Sequence, residues 1–344
     1  MLDTNAVTAY YKETNAVINV SSAEDWTVET PNWIVATPSS GSGNTAVTVR
    51  ILENEGNGIR DDRIRFSTAS DSEEVAVTQL DRVSSCFNNI DSYGNVTAVT
   101  ASDYNHRLAT WAMELSYAAY NYPNGEELPI IPGAFMGDFT KTAGMLLEDN
   151  GFVNISEYNY TSDSRAAHTI GWRPINVDVS ETSQIINDVG GMGNVYQYNI
   201  DDKGSVLYNL LDSVCVCDYD QGRNYFRDDT VVIEENTALN TSQDDEVETK
   251  PLVVVDVRGS VTISDWINDV MTQFDSENNR FAAFADEIFT NVENYLSSTG
   301  LQDPIILVTG HSMGAAIANI LAARLNETMD SGNIYAYTFT FTRW

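Results

Sequence analysis

The sequence predicts a chain in two parts, an all-β sandwich followed by an α/β domain built on a mostly parallel sheet. Three observations predict it. Short runs of alternating apolar and polar residues fill positions 1–82, broken by turn-rich pieces. Two apolar, β-branched runs, "PLVVVDVRGS" (Pro251–Ser260) and "PIILVTGHS" (Pro304–Ser312), have the make-up of central parallel strands covered on both faces. Between them, "RFAAFADEIFTNVENYLSSTG" carries a helical stripe of Phe281, Phe284, Ala285, Ile288, Phe289, Val292, Tyr295 and Leu296. Strand, helix, strand at that length is a crossover unit, which makes the two strands parallel.

In the first part the strand runs are "AVINV" (Ala16–Val20), "WTVE" (Trp26–Glu29), "AVTVRI" (Ala46–Ile51), "RIRFS" (Arg63–Ser67) and "EVAVTQL" (Glu74–Leu80). The pieces "PSSGSGN" (Pro38–Asn44) and "NEGNG" (Asn54–Gly58) read as turns between them. Residues 83–103, rich in Ser, Asn and Thr, read as a linker, and residues 104–344 as the second domain. That domain opens on "NHRLATWAMELSYAAY", where Leu108, Trp111, Ala112, Leu115 and Ala119 form a helical stripe. A strand-like piece, "AAHTIGWRPI" (Ala166–Ile175), follows later, and Gly190–Lys250, polar and acidic, reads as an insertion or mobile loop.

Composition narrows the function. A formal net charge of −32 repels a phosphate backbone over most of the surface and disfavours adsorption to anionic lipid by charge. No apolar stretch is long enough to span a bilayer, so no transmembrane segment is expected. The opening "MLDTNAVTAYYKETN" has neither a basic leader nor an apolar core, so no signal peptide is visible. Cys86, Cys215 and Cys217 make neither a disulfide framework nor a zinc set.

The chemistry-bearing motif is Gly310-His311-Ser312-Met313-Gly314. An apolar strand runs into it, and a helix leaves it with Ile317, Ile320, Leu321 and Leu325 on one face and Ala315, Ala316 and Ala318 kept small. This is the setting of a nucleophile at a sharp strand-to-helix turn, where side chains on the flanking glycines would strike neighbouring backbone. The turn lifts the Ser312 hydroxyl above the sheet and aims the helix N-terminus at a developing oxyanion. A structural serine in a tight turn is the alternative.

With the elbow, "VDVRGSVTISDWINDV" resembles the class 3, fungal-type triacylglycerol lipases: a strand ending Arg-Gly-Ser, then Asp-Trp-Ile-x-Asp, a helix, and Gly-His-Ser-x-Gly. The resemblance implies an α/β-hydrolase-type fold and a serine ester hydrolase acting on triacylglycerol or other lipid esters through an acyl-enzyme, with no metal and no organic cofactor. Ser312 would be the acylated nucleophile, held in an elbow formed with Gly310, His311 and Gly314. The oxyanion hole would be Ser260 with the Met313 amide. Val261–Trp266 would be a lid, Trp266 packing either over a bound acyl chain or in the core. Where the family has His-x-Gly-Phe before the crossover helix, this chain has "NNRFAAF".

The family's base and acid follow the nucleophile, yet the chain's three histidines, His106, His168 and His311, all precede Ser312. His106 reads as a surface residue at a helix start and His168 as a core residue, while the family pattern implies that His311 points away from the hydroxyl. The expectation is a fragment cut short at the C-terminus and inactive alone. A catalytically dead, glycan-binding protein and a carbohydrate-ester (feruloyl-type) esterase stay open as alternatives.

The first part is similar to a BACON module, the Bacteroidetes-associated carbohydrate-binding type. Trp26, Trp33, Pro38 with its Ser-Gly, Asn54, Arg60 and a closing Val-x-Val-x-Gln at Gln79 carry the likeness. It implies glycan or mucin as a partner and an extracellular or cell-surface location. Trp26 and Trp33 either stack on a sugar or fill the sandwich core.

Overall fold

A computed structural model of the chain describes residues 2–91, 93–120, 141–158, 168–176, 249–259, 280–329 and 331–339. It forms two compact units, residues 1–99 and 100–344.

The first unit is an all-β sandwich. One sheet orders β1 (Ala6–Ala9), β8 (Ser72–Gln79), β7 (Arg60–Ser67), β3 (Asp25–Glu29) and β5 (Ser40–Ser42); the other orders β2 (Thr14–Val20), β6 (Thr45–Ile51) and β4 (Ile34–Thr37). Period-two burial is plain in β6, where Val47, Val49 and Ile51 point inward and Ala46, Thr48 and Arg50 outward. Those inward residues meet Ile18, Trp26, Ile64, Phe66, Val75 and Val77 in one core. In the segment expected to be a linker lie a short helix, α1 (Arg82–Phe87), and a two-stranded ribbon, β9 (Asn88–Ile90) with β10 (Val96–Ala98). Asp81 caps α1 by accepting from the Ser84 amide at 2.8 Å.

Trp26 and Trp33 both pack on the sandwich core. Trp26 is buried and donates from Nε1 to the Gly43 carbonyl. Trp33 packs against the core, with the Arg60 guanidinium 4.4 Å above its ring. Arg60 in turn donates to Gln79 Oε1, and fully buried Gln79 donates to the carbonyls of Tyr10, Tyr11 and Leu52. Asn54 closes the same end by donating to the Gly58 and Leu80 carbonyls. Of the residues that carry the likeness to the carbohydrate-binding type, Arg60 and Gln79 thus tie β7 and β8 to the end of β6 in the other sheet.

The second unit centres on a five-stranded sheet ordered β11 (Val153–Tyr158), β12 (His168–Asn176), β13 (Thr249–Val257), β14 (Ile305–His311) and β15 (Ile334–Phe339). β13, β14 and β15 run parallel, whereas β12 is antiparallel to both β11 and β13. The sheet is therefore mixed where a mostly parallel one was expected, because β12 enters the sheet from the opposite end. α4 (Arg280–Thr299) and α5 (Met313–Thr328) cover one face. Ile288, Val292, Ile317 and Leu321 from these helices pack there on Val253, Val255, Ile306 and Val308. The other face receives α2 (His106–Ala118), which lies against β14 and β15, while α3 (Ala143–Asp149) lies against β11 and β12.

Alternation along β13 and β14 decides which residues face α2. Val255, Val257 and Val308 belong to the core beneath α4 and α5, so Asp256, Thr309 and His311 point to the α2 side. Among the described residues, no helix is long and apolar enough to cross a membrane.

Candidate active site

The sharpest backbone feature lies where β14 meets α5. Ser312 has φ 57° and ψ −124°, a left-handed conformation that side chains rarely adopt. Its amide donates to the Phe339 carbonyl at 2.8 Å, tying the turn to β15. Its carbonyl accepts from the Ala315 and Ala316 amides and starts the helix. A serine at this position normally caps with its hydroxyl. Here no side-chain cap bond forms, because the positive φ turns the side chain away from the helix axis. Ser312 is left half-buried at the N-terminus of a 16-residue helix, beside the Met313 amide, which has no intrahelical acceptor.

Close packing requires the glycines around it. A β-carbon on Gly310 would stand 2.6 Å from the Gly314 carbonyl oxygen and 2.8 Å from that of Val257. One on Gly314 would overlap the Val257 carbonyl and lie 2.8 Å from the Arg258 carbonyl carbon. The start of α5 is thereby pressed against the end of β13. Gly259 completes the approach: a β-carbon there would overlap the Tyr120 hydroxyl and the His311 carbonyl and stand 3.2 Å from Ser312 Cβ.

Below the elbow is a polar layer that sequence reasoning did not identify. His311 Nδ1 and the Tyr120 hydroxyl share a hydrogen bond of 2.9 Å. The Tyr117 ring lies 5.2 Å from the imidazole. Thr309 Oγ1 donates to the Tyr337 carbonyl at 2.8 Å, lies 3.1 Å from the Ala112 carbonyl and shares a 2.7 Å bond with Ser116 Oγ. Burial holds His311 down to about 4, so the imidazole is neutral near pH 7. Burial first, and the nearby Asp256 carboxyl second, push the Tyr120 phenol above its usual range. Asp256 is fully buried, neither of its oxygens meets a hydrogen-bond donor among the described residues, and burial pushes its carboxyl well up.

The expected site residues are distributed as follows. Gly310, His311, Ser312, Met313 and Gly314 form one turn, and Gly259 sets the end of β13 against Ser312. Ser260 and Trp266, with the Val261–Trp266 segment, lie outside the described residues, as do Cys215, Cys217 and nearly all of Gly190–Lys250. None of the three histidines hydrogen-bonds Ser312. His106 begins α2 with Nδ1 3.1 Å from the Tyr104 hydroxyl. His168 is buried and stacked 4.4 Å from Tyr158, and burial holds it down to about 3. His311 faces Tyr120, away from the seryl hydroxyl. Among the described residues, no group of three or more His, Cys, Asp or Glu side chains is placed to hold a metal ion.

Comparison with known proteins agrees with the two-part reading. Residues 254–343 match the family model "Lipase (class 3)", and residues 20–80 match BACON, "Putative binding domain, N-terminal". No curated protein matches the chain. Among solved structures, a Bacteroides ovatus GH5 xyloglucanase in complex with a XXXG heptasaccharide is 11% identical over 28% of this chain and 30% of its own, with a TM-score of 0.22. A protein from Bacteroides thetaiotaomicron is 11% identical over 23% of this chain and 78% of its own, TM-score 0.19. The S-layer protein rSbsC is 15% identical over 49% of this chain and 22% of its own, TM-score 0.20. The chain therefore spans less than a third of the xyloglucanase. None of these structural likenesses carries an argument about function.

Proposed function

We propose that the second unit is an α/β-hydrolase-type serine ester hydrolase of the class 3 lipase kind, with Ser312 as its nucleophile. The observation that carries this reading is the backbone of Ser312: a strained, half-buried serine between a buried strand and a helix N-terminus, its hydroxyl left out of the cap. A protein keeps such strain where the side chain has work to do. The hydroxyl would attack the carbonyl of a lipid carboxylic ester. The tetrahedral oxygen would receive the Met313 amide and the amide that follows Gly259, that of Ser260. Expulsion of the alcohol leaves an acyl-enzyme, which water cleaves.

A serine hydroxyl needs a base to take its proton. Among the described residues no histidine bonds Ser312. The test supplies a base from solution. Hydrolysis of a short-chain p-nitrophenyl ester should rise with added imidazole beyond the reaction of imidazole itself, and Ser312→Ala should abolish that excess. An imidazole effect equal in wild type and Ser312→Ala would refute the proposal. It would favour the second reading, a platform domain without catalysis.

For the sandwich, we infer a spacer or attachment module at the cell surface or outside the cell. Glycan stacking by Trp26 or Trp33 is disfavoured, since the first is buried and the second lies under Arg60. Lipid esters are the substrate class the family match supports; a carbohydrate-linked ester is the variant.

A further inference from the structure

We propose that Tyr120 is a positioning residue for the Ser312 site, holding the end of β13 and the nucleophile turn at a fixed separation through its hydroxyl. The proposal rests on the esterase reading above.

Three groups converge at Gly259. They are the Tyr120 hydroxyl, the His311 carbonyl and Ser312 Cβ, and they approach so closely that even a methyl group has no room. Of these, only Tyr120 comes from outside β14 and the turn that follows it. It follows the last turn of α2, its amide bonded to the Tyr117 carbonyl, and its side chain is buried. Its hydroxyl makes the 2.9 Å bond to His311 Nδ1, one residue before the nucleophile. The Tyr120 ring meets the imidazole edge-on at 5.7 Å, and Tyr117 meets it at 5.2 Å. One helical turn back, Ser116 and the Ala112 carbonyl hold Thr309 in the same strand. The C-terminal half of α2 thus grips β14 at alternate residues, and the last grip also touches Gly259.

Such a contact sets the spacing between Gly259 and the Ser312 turn. An ångström there decides whether the tetrahedral oxygen is caught. Phenol and imidazole are both neutral around pH 7, so their bond needs no ionised partner.

The experiment compares wild type with Tyr120→Phe, which removes one oxygen and keeps the ring. Fluorophosphonate labelling of Ser312 is followed with saturating imidazole, separating the rate at saturating probe from probe affinity. We expect the saturating rate to fall by about tenfold to a hundredfold, with affinity and melting temperature nearly unchanged. The ¹⁵N resonances of His311 should shift as Nδ1 loses its partner. Equal saturating rates in the two proteins would overturn the proposal. So would a rate loss matched by a loss of folded protein. In wild type alone, a His311 Nδ1 resonance typical of a water-exposed ring would overturn it without any variant. Wild type that never labels at Ser312 sinks the esterase reading, and the positioning role with it, even where the His311 resonance reports the bond.

Discussion

Gly259 and Ser312 lie side by side although 53 residues separate them in the chain: a β-carbon on the first would stand 3.2 Å from that of the second. This proximity brings the end of β13 to the nucleophile turn. A methyl group at 259 would also overlap the Tyr120 hydroxyl and a backbone carbonyl, and the carbonyl cannot move aside without moving β14. Gly259→Ala is expected to destabilise the second unit by about 1–3 kcal/mol or more. Chemical denaturation measures it, and an unchanged midpoint would show that the approach is looser than described.

Ser312 predicts an inverse relation between stability and function. Its φ of 57° suits glycine. Ser312→Gly should be more stable than Ser312→Ala by about 1–3 kcal/mol, since alanine keeps the strain and glycine relieves it. Neither variant should show imidazole-dependent ester hydrolysis. Equal stabilities of the two would mean that the turn carries no strain.

Buried titratable groups predict the shape of the pH–stability curve. Asp256 holds its proton more tightly folded than unfolded, where its value is near 3.8. Its contribution is therefore intact below about pH 4 and is lost as pH rises towards the folded value, by up to about 1.4 kcal/mol per pH unit. Asp256→Asn should remove that loss, so its stability relative to wild type should increase from pH 4 to pH 7. His311 and His168 act in the opposite direction, their folded values of about 4 and 3 lying below the usual 6.5. Their contribution is present above pH 6.5 and is lost as pH falls through that window. Parallel curves for wild type and Asp256→Asn would contradict the buried carboxyl.

In the sandwich, Gln79 accepts from Arg60 and donates to three carbonyls from two segments. Gln79→Leu leaves buried carbonyls and a guanidinium without this partner, at a cost of about 2–4 kcal/mol. Thermal unfolding of the full chain should show the first unit melting earlier and the second unchanged. A single unshifted transition would show that the network is dispensable.

The elbow was readable from sequence because its demands are local. Gly310, Ser312 and Gly314 sit within five residues, and an apolar strand and a helix flank them. The strands of the sandwich were readable for the same reason, since alternation such as that of β6 needs no distant information. Tyr120 was not, because its partner is 191 residues away and nothing in "SYAAYNY" distinguishes a buried tyrosine from an exposed one. Asp256 was hidden inside an apolar run that correctly signalled a buried strand. The reversed direction of β12 was equally invisible, because a strand with both faces covered carries the same residues whichever way it runs. Trp26 and Trp33 could have served a ligand or a core on composition alone; Trp26 is buried and Trp33 lies partly buried under Arg60.

The central claim is that the Ser312 oxygen is a nucleophile. Mass-spectrometric mapping after fluorophosphonate treatment, with imidazole as the external base, tests it most directly. A single adduct on the peptide containing Ser312, formed faster as imidazole is raised and absent from Ser312→Ala, is the expected result. Adducts scattered over other hydroxyls, or a Ser312 peptide recovered unmodified at every imidazole concentration, would contradict it.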